Sequence, residues 1–129
     1  MSFDNYKPEG LRQRAWWVMR RRKKFTLVQL LSTVTTEHDK NPEKNLRAYL
    51  NGLVKSGLVR ITRKPSGAAK RTKNIYEYTL LIDGGRKNPS LRKNGEVYDL
   101  NTYETYPAIF NAKGQPLTLK STVSETDHA

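Results

Sequence analysis

The sequence from Asn41 to Gly57 reads Asn-Pro-Glu-Lys-Asn-Leu-Arg-Ala-Tyr-Leu-Asn-Gly-Leu-Val-Lys-Ser-Gly. Four apolar residues recur at the spacing of one helix face: Leu46, Leu50, Leu53 and Val54. Four polar residues fall on the other side: Lys44, Arg47, Asn51 and Lys55. Asn41, as a side-chain N-cap before Pro42, is typical of a helix start, and Gly57 is typical of the residue just past a helix end. We therefore predict an amphipathic helix over residues 42–56.

A helix of this pattern has two interpretations. A helix with one apolar face and one face of Lys, Arg and Asn side chains suits the DNA major groove. There the guanidinium and amide groups can hydrogen-bond with base edges. The same pattern also occurs in ordinary helices with one solvated face. The neighbouring segments favour the first interpretation.

Two strands and a basic loop follow the helix. Leu58–Arg63 alternates apolar and polar residues, and Ile75–Ile82 is its predicted partner strand. The loop between them is rich in small and helix-breaking residues, and it is too polar to be buried. Five cations lie in the loop or at its base: Arg63, Lys64, Lys70, Arg71 and Lys73.

Two further helices are predicted before residue 41. The first spans Leu11–Lys24 and ends in five consecutive cations: Arg20, Arg21, Arg22, Lys23 and Lys24. A helix dipole favours cations only in its last turn, so we expect part of this run to face phosphates. Of the two tryptophans, Trp16 and Trp17, we expect one in the core and one half-exposed. Phe25-Thr26 is a candidate for a very short strand, and Thr26 is then a predicted N-cap for a helix over Leu27–Val34.

Composition and charge restrict the class of protein. The 129 residues hold 24 Lys and Arg against 12 Asp and Glu, which gives a net charge of +12 and favours a polyanionic partner. The excess lies in residues 1–24 and 58–82, whereas residues 83–129 are neutral. The chain has no cysteine, which excludes disulfides and thiolate-bound zinc. Without an apolar leader or a membrane-length apolar run, we expect a soluble cytoplasmic protein, bound to the nucleoid when on DNA.

The order helix, helix, turn, helix and two strands resembles the winged helix-turn-helix family over residues 11–82. The most specific motif is Asn45-Leu-Arg-Ala-Tyr-Leu-Asn-Gly-Leu-Val-Lys-Ser-Gly-Leu-Val59, which is similar to the family's third helix and first wing strand. The chain also resembles the small basic winged-helix proteins of Mu-like prophages, in its Ala15-Trp-Trp-Val-Met-Arg-Arg-Arg and Asn94-Gly-Glu-Val-Tyr-Asp runs.

The resemblance implies an α+β fold with a three-helix winged helix-turn-helix core and a two-stranded β wing. We expect an N-terminal arm over residues 1–10, this domain over 11–82, and an irregular extension with short β-hairpins over 83–129. Asn94-Gly95 predicts a type I′ hairpin turn, and residues 108–119 a second hairpin. The extension is the part of the chain that would contact a second copy or a protein partner. One departure from the family is the turn Thr35–Lys40, which is longer than usual, so the second helix runs further or the helices cross at an unusual angle.

The resemblance also implies a set of DNA-binding residues in a duplex-binding protein, such as a transcriptional regulator of a phage or mobile element. The major-groove residues on the helix would be Lys44, Asn45, Arg47, Ala48, Asn51 and Lys55. The wing residues, along the backbone or in the minor groove, would be Arg63, Lys64, Lys70, Arg71 and Lys73. Phosphates would be contacted by Arg20, Arg21, Arg22, Lys23, Lys24 and Thr26.

Other functions remain as alternatives at this stage. A winged helix can serve as a protein-interaction module within a larger assembly, since fold does not fix function. Tyr76 and Tyr78 could stack bases of RNA or single-stranded DNA. His38 and His128 have no neighbouring pattern of acids or nucleophiles, so we expect no enzyme activity, no metal and no cofactor.

Neutralising the basic loop tests its predicted role. Replacing Lys70, Arg71 and Lys73 by alanine is expected to weaken binding to duplexes of every sequence, because phosphate contacts carry no sequence information. A protein that neutralises about six to ten phosphates loses roughly 10³–10⁵-fold in affinity between about 50 and 200 mM salt. The variant should lose less over that range in a gel-shift titration. Duplex binding with an unchanged salt dependence would contradict the predicted role.

Overall fold

The computed structural model describes residues 10–63 and 76–117 of the chain. The helices are α1 (Leu11–Arg22), α2 (Leu27–Val34) and α3 (Pro42–Lys55). The strands are β1 (Lys24–Thr26), β2 (Val59–Arg63), β3 (Glu77–Leu80), β4 (Ser90–Leu91), β5 (Val97–Asp99) and β6 (Glu104–Tyr106). They form two antiparallel three-stranded sheets, in the orders β1-β3-β2 and β4-β5-β6. The predicted α+β class and the three helices are therefore confirmed.

The helix ends follow from local residue choices. Thr26 caps α2 as predicted: its hydroxyl accepts the backbone N–H of Gln29 at 3.1 Å, and the Gln29 side chain accepts the N–H of Thr26. Pro42 begins α3, and Gly57 beyond its end has a φ of +83°, which favours glycine. The predicted side-chain cap from Asn41 is wrong. Asn41 adopts the left-handed conformation that asparagine tolerates, and its side chain makes no capping hydrogen bond.

The candidate short strand at Phe25-Thr26 is present as β1, and it joins the two predicted wing strands in one sheet. β1 is paired with β3 with Phe25 opposite Tyr78, and the two rings stack at 6.0 Å between centroids. Burial of these rings holds a strand of only three residues in the sheet, because each contributes a large apolar area. The sheet thus carries β1 on one side of β3 and β2 on the other.

The hydrophobic core lies between the three helices and the inner face of this sheet. The large side chains buried there are Trp16, Met19, Phe25, Leu30, Leu46, Tyr49, Leu50, Leu53, Val54, Leu58, Val59 and Val97. Trp16 is fully buried whereas Trp17 is 45% exposed, which confirms the predicted division between them. The presence of Val97 shows that the core includes a residue from the second sheet.

The β4–β5 hairpin of the second sheet is seated on α3 at Gly52. A Cβ atom added to Gly52 would lie 2.7 Å from both Leu91 methyl carbons, so the absence of a side chain there leaves room for Leu91. The predicted hairpin forms, but its turn is not type I′. That turn needs a positive φ at both central residues, whereas Gly95 has a φ of +90° and Asn94 does not lie in the positive region.

The segment leading into the second sheet is hydrogen-bonded to the helices. Trp16 Nε1 donates to the Gly85 carbonyl at 2.8 Å, and the Tyr49 hydroxyl donates to the Pro89 carbonyl at 2.7 Å. Asn88 contributes a further hydrogen bond, from Nδ2 to the Tyr49 hydroxyl at 3.2 Å. These bonds satisfy polar groups that would otherwise be costly to bury.

Residues 109–117 close over the C-terminal end of α3. The backbone N–H groups of Ile109 and Phe110 both donate to the Lys55 carbonyl, at 2.8 and 3.0 Å. The last carbonyls of a helix have no partner within it, and this contact supplies one from outside. Phe110 forms a β-bridge with Pro116, so the second predicted hairpin is present as a single bridge.

Asp99, the last residue of β5, is buried against Gly84. Its side chain is 1% exposed, and its Oδ1 accepts the Asn101 backbone N–H at 2.7 Å. A Cβ atom on Gly84 would lie 1.8 Å from Asp99 Oδ2, which leaves no space for any side chain at that position.

Gly84→Ala is therefore expected to destabilise the chain. The added methyl group must displace a buried carboxylate, and overpacking of this kind typically costs about 1–3 kcal/mol. Denaturant unfolding measures the change, with Lys87→Ala as control, since that side chain is exposed and its removal should change stability by less than about 0.5 kcal/mol. Equal stability of the Gly84→Ala variant and the unchanged chain would mean that this contact does not constrain the fold.

Tyr49 links stability to alkaline pH. Burial raises the pKa of Tyr49 above its ordinary value of 10.0, so above pH 10 the unfolded chain loses this proton while the folded chain keeps it. The contribution of the protonated Tyr49 hydroxyl to the free energy of unfolding is fully present below pH 10. It is lost as the pH rises above 10, by up to about 1.4 kcal/mol per pH unit.

Tyr49→Phe should lower the free energy of unfolding at neutral pH by about 1–3 kcal/mol, because the Pro89 carbonyl loses its shorter hydrogen bond and Asn88 Nδ2 loses an acceptor. The variant should also show a shallower loss of stability above pH 10, measured by denaturant unfolding at each pH. Tyr103→Phe is the matched control, because Tyr103 is 76% exposed. Identical alkaline slopes for all three chains would exclude this role for Tyr49.

Candidate nucleic-acid interface

Four residues of α3 form a row on its solvent side, which we call the α3 stripe: Lys44, Ala48, Asn51 and Lys55. Successive members are three or four residues apart, so they lie one above another on the helix. Lys44, Ala48 and Lys55 are exposed and Asn51 is half-buried. At 1.5 Å per residue the stripe is about 16 Å long. The structure thus brings together four of the six helix residues predicted to face DNA.

The opposite side of α3 holds the stripe in place. Leu46, Leu50 and Leu53 are fully buried against the rest of the core. A rotation of α3 that hid the stripe would expose these leucines, at about 1.5–3 kcal/mol for each side chain. The orientation of the stripe is therefore set by core packing.

Arg47 lies beside the stripe, on the side that faces the first sheet. It forms an ion pair with Glu43, one turn earlier on the same helix. Burial raises the pKa of Tyr78, and the positive charge of Arg47 partly offsets this. Both partners of the ion pair are about half-exposed, so the pair itself contributes little to stability.

Asn45 lies apart from the stripe, on the side of α3 that faces α1. Arg12 Nε donates to Asn45 Oδ1 at 2.6 Å, and the Arg12 guanidinium lies 5.0 Å from the centre of the Tyr49 ring. The Asn45 side chain therefore links α3 to α1 in this structure.

The predicted phosphate-binding run divides into paired and exposed residues. Arg20 Nε lies 2.8 Å from Asp83, and Lys23 Nζ lies 3.5 Å from the same carboxylate. Partial burial alone would raise the pKa of Asp83, but Arg20, the Gly85 N–H and Lys23 together lower it, so the pair is ionised at neutral pH.

The remaining members of the run differ in their surroundings. Arg21, Arg22 and Lys24 are all exposed. The Arg21 guanidinium lies 4.7 Å from the centre of the Trp17 ring, which is also exposed. Thr26 caps α2 through its hydroxyl oxygen, and its hydroxyl hydrogen can still donate to a phosphate.

A cation that the site prediction omitted, Arg60, lies on the outer face of the first sheet. The register of the sheet places Lys24, Thr79 and Arg60 in one row across the three strands. Lys24 and Arg60 are both exposed. The alternation of β2 had indicated that Arg60 faces outward, but Arg60 precedes the basic loop and was not assigned a role.

The turn between α2 and α3 is tied to α1. Arg14 Nη2 donates to both oxygens of Asp39, at 2.9 and 2.7 Å, and Arg14 Nε donates to the Val34 carbonyl at 3.0 Å. A hydrogen bond from the Thr36 backbone N–H lowers the pKa of Asp39, and Arg14 adds to that effect. Because α2 ends at Val34, the expectation that α2 might run further is wrong, and the long turn is held by its own polar contacts.

The two tyrosines considered for base stacking are not equivalent. Tyr78 is buried and stacked on Phe25, so its ring cannot receive a base. Tyr76 is half-buried and packs against the core cluster. The alternative of RNA or single-strand binding through both rings therefore loses one of its two platforms.

The predicted wing residues lie mostly outside the described part of the chain. Lys64, Lys70, Arg71 and Lys73 lie outside the described residues. For Arg63, only the backbone position in β2 is described. Within residues 10–63 and 76–117, no three side chains able to bind a metal ion come together. None of the three helices in the described part is long and apolar enough to span a membrane.

No protein-family model matches this sequence, and comparisons with curated proteins and with solved structures also returned no match. The function proposed below therefore depends on the surface geometry and on the resemblance carried by the sequence motifs.

Proposed function

We propose that the chain is a winged helix-turn-helix protein that binds duplex DNA, with α3 in the major groove. The observation that carries this proposal is the α3 stripe, a row of two lysines, an asparagine and an alanine on a helix whose other side is buried. The order of α1, α2, α3, β2 and β3 agrees with the order helix, helix, turn, helix and two strands on which the resemblance rests. The fold assignment beyond the α+β class is part of the proposal.

The α3 stripe has the dimensions and chemistry that a major groove requires. The groove is about 12 Å wide and admits one α-helix. Asn51 can pair with adenine through its amide, and Ala48 is small enough to allow close approach and contact with a thymine methyl group. Lys44 and Lys55 lie at the two ends of the stripe, where they can reach phosphates or guanine.

Arg47 is the residue we assign to guanine recognition. Its guanidinium presents a planar fork that matches the O6 and N7 atoms of guanine. Its half-exposed ion pair with Glu43 contributes about 0–1 kcal/mol. Each good bidentate contact of this kind gives about 1–3 kcal/mol of discrimination.

Electrostatic affinity would come from cations outside the stripe. The exposed Arg22 is the last residue of α1, the exposed Lys24 begins β1, and the loop between β2 and β3 carries four more cations in the sequence. Such contacts act on any sequence and fix the register of the protein on the duplex. With a net charge of +12 they also accelerate association with DNA.

The biological role we propose is regulation of transcription in a phage or mobile element, in the cytoplasm. A single winged domain reads few base pairs, so a regulator commonly acts as a dimer on a palindromic site. Selection of bound fragments from a random duplex pool tests this role. An enriched palindrome supports a dimeric regulator, and recovery without any enriched motif would instead indicate an architectural protein.

Competition between duplex and single-stranded DNA tests the binding mode. In a gel shift the proposal requires that unlabelled duplex displaces the labelled duplex at much lower concentration than single strands of the same sequence. Equal competition by single-stranded DNA or RNA would contradict the major-groove geometry. Absence of binding to either would favour the alternative of a protein-interaction module.

Substitution of Arg47 distinguishes sequence reading from charge. Arg47→Ala should reduce the preference for one base position in the selected motif by about 5–150-fold, which corresponds to about 1–3 kcal/mol. Arg47→Lys keeps the charge but lacks the fork, so it should retain most of the overall affinity and lose the same preference. Selection with each variant measures both effects. If both variants select the motif of the unchanged chain, Arg47 does not contact a base.

A further inference from the structure

We propose that the turn of the β4–β5 hairpin, residues 92–96, is a second DNA-backbone contact, in which Arg92 and Lys93 bind phosphates beside α3. This inference rests on the proposed function, and it adds an element that the sequence pattern did not assign to DNA. Its basis is the position of the turn, the charge around it and the geometry of the α3 stripe.

The turn is fixed at the edge of the stripe. Leu91, directly before it, packs on Gly52 of α3, and Val97, directly after it, is fully buried in the core. Within the turn, the Arg92 N–H donates to the Glu96 carbonyl at 2.8 Å, and the Gly95 N–H donates to the Arg92 carbonyl at 3.0 Å. The turn is therefore positioned by contacts on both sides and by its own hydrogen bonds.

A cleft of about 350 Å³ separates the turn from α3. Ala48, Asn51 and Lys55 of the stripe line one wall, and Arg92 and Lys93 of the turn line the other. The predicted reading surface and the two turn cations thus face one shared space. A polyanion that contacts the stripe would lie within reach of both cations.

The charge of this cleft is positive. Three cations line it, Lys55, Arg92 and Lys93, against one acid, Glu96. Among the described residues neither turn cation forms an ion pair, and Arg92 stacks on the Tyr98 ring at 4.5 Å from its centre. Stacking orients the guanidinium and leaves its N–H donors available for phosphate oxygens.

The turn and the first sheet lie on different sides of the stripe. Arg47, whose charge acts on Tyr78 of the first sheet, lies on one flank of the stripe, and Gly52, which Leu91 contacts, lies on the other, about 140° away around the helix axis. A helix in the major groove has a phosphate backbone along each wall of the groove. The turn would serve the wall on the Gly52 side of α3.

Neutralisation of the turn tests the proposal on the full chain. With the duplex obtained by selection, Arg92→Ala combined with Lys93→Ala should weaken binding and reduce the slope of log affinity against log salt by about 1.8, or about 0.9 for each phosphate that the protein no longer neutralises. The selected motif should stay the same, because phosphate contacts carry no sequence information. Both side chains are exposed, so thermal unfolding should change only by the loss of the Arg92 stacking on Tyr98.

Lys93→Ala and Lys87→Ala form a matched pair, because both remove one exposed lysine from the second half of the chain. Lys93→Ala should reduce the salt slope by about 0.9, whereas Lys87→Ala, which does not line the cleft, should leave it unchanged. Equal slopes for these two variants would overturn the proposal, as would a changed motif with an unchanged slope.

Different results would contradict the proposed function and the DNA contact of the turn. If the unchanged chain does not prefer duplex DNA, the proposed function and this inference fall together. If the unchanged chain binds duplex DNA and the double variant binds with the same affinity and salt slope, the inference alone is wrong. Rescue of the salt slope by Arg92→Lys combined with Lys93→Arg would support an interaction that depends on charge.

Discussion

Burial of Leu46, Leu50 and Leu53 on one side of α3 determines which side chains that helix can present to solvent. α3 contacts α1, α2, β2 and β4, so turning this helix about its own axis would disturb its packing against all four elements. Its ends are held from outside the helix as well. Arg14 ties the preceding turn to α1 through Asp39, and Ile109 donates to the Lys55 carbonyl beyond the last turn. Preorganisation of this kind matters for reading DNA, since a rigid helix loses little entropy on binding.

The sequence was most informative where structure depends on near neighbours. The bounds of α2 and the start of α3 follow from apolar spacing, the Thr26 capping box and Pro42, all of which act within a few residues. The stripe could be predicted for the same reason, because helix geometry alone places Lys44 and Asn51 on one face. Asn45 was grouped with them, but its partner Arg12 is 33 residues away and leaves no local signal.

The second half of the chain was harder to predict because its contacts are long-range. Trp16 bonds to Gly85 and Tyr49 to Pro89, across separations of 69 and 40 residues, and neither pairing has a periodic signature. β1 was difficult for a related reason, since three residues are too few for alternation to be seen. Gly52 within α3 was the one available hint, because glycine in a helix interior costs about 1 kcal/mol relative to alanine and commonly marks a close approach.

Charge counted along the sequence differs from charge on the folded surface, and the difference changes where DNA affinity would arise. Residues 83–129 are neutral by count, yet two of their acids are less accessible to a partner in the folded chain. Asp99 is buried, and Asp83 is paired with Arg20 and Lys23. Arg92 and Lys93 of the same segment remain exposed beside α3. The run Arg20–Lys24 is correspondingly weaker than its five charges indicate, because Asp83 offsets part of it. Exposed cations that a duplex in the proposed orientation could meet therefore include Arg92 and Lys93 beside the α3 stripe, as well as the part of the run Arg20–Lys24 that Asp83 does not offset.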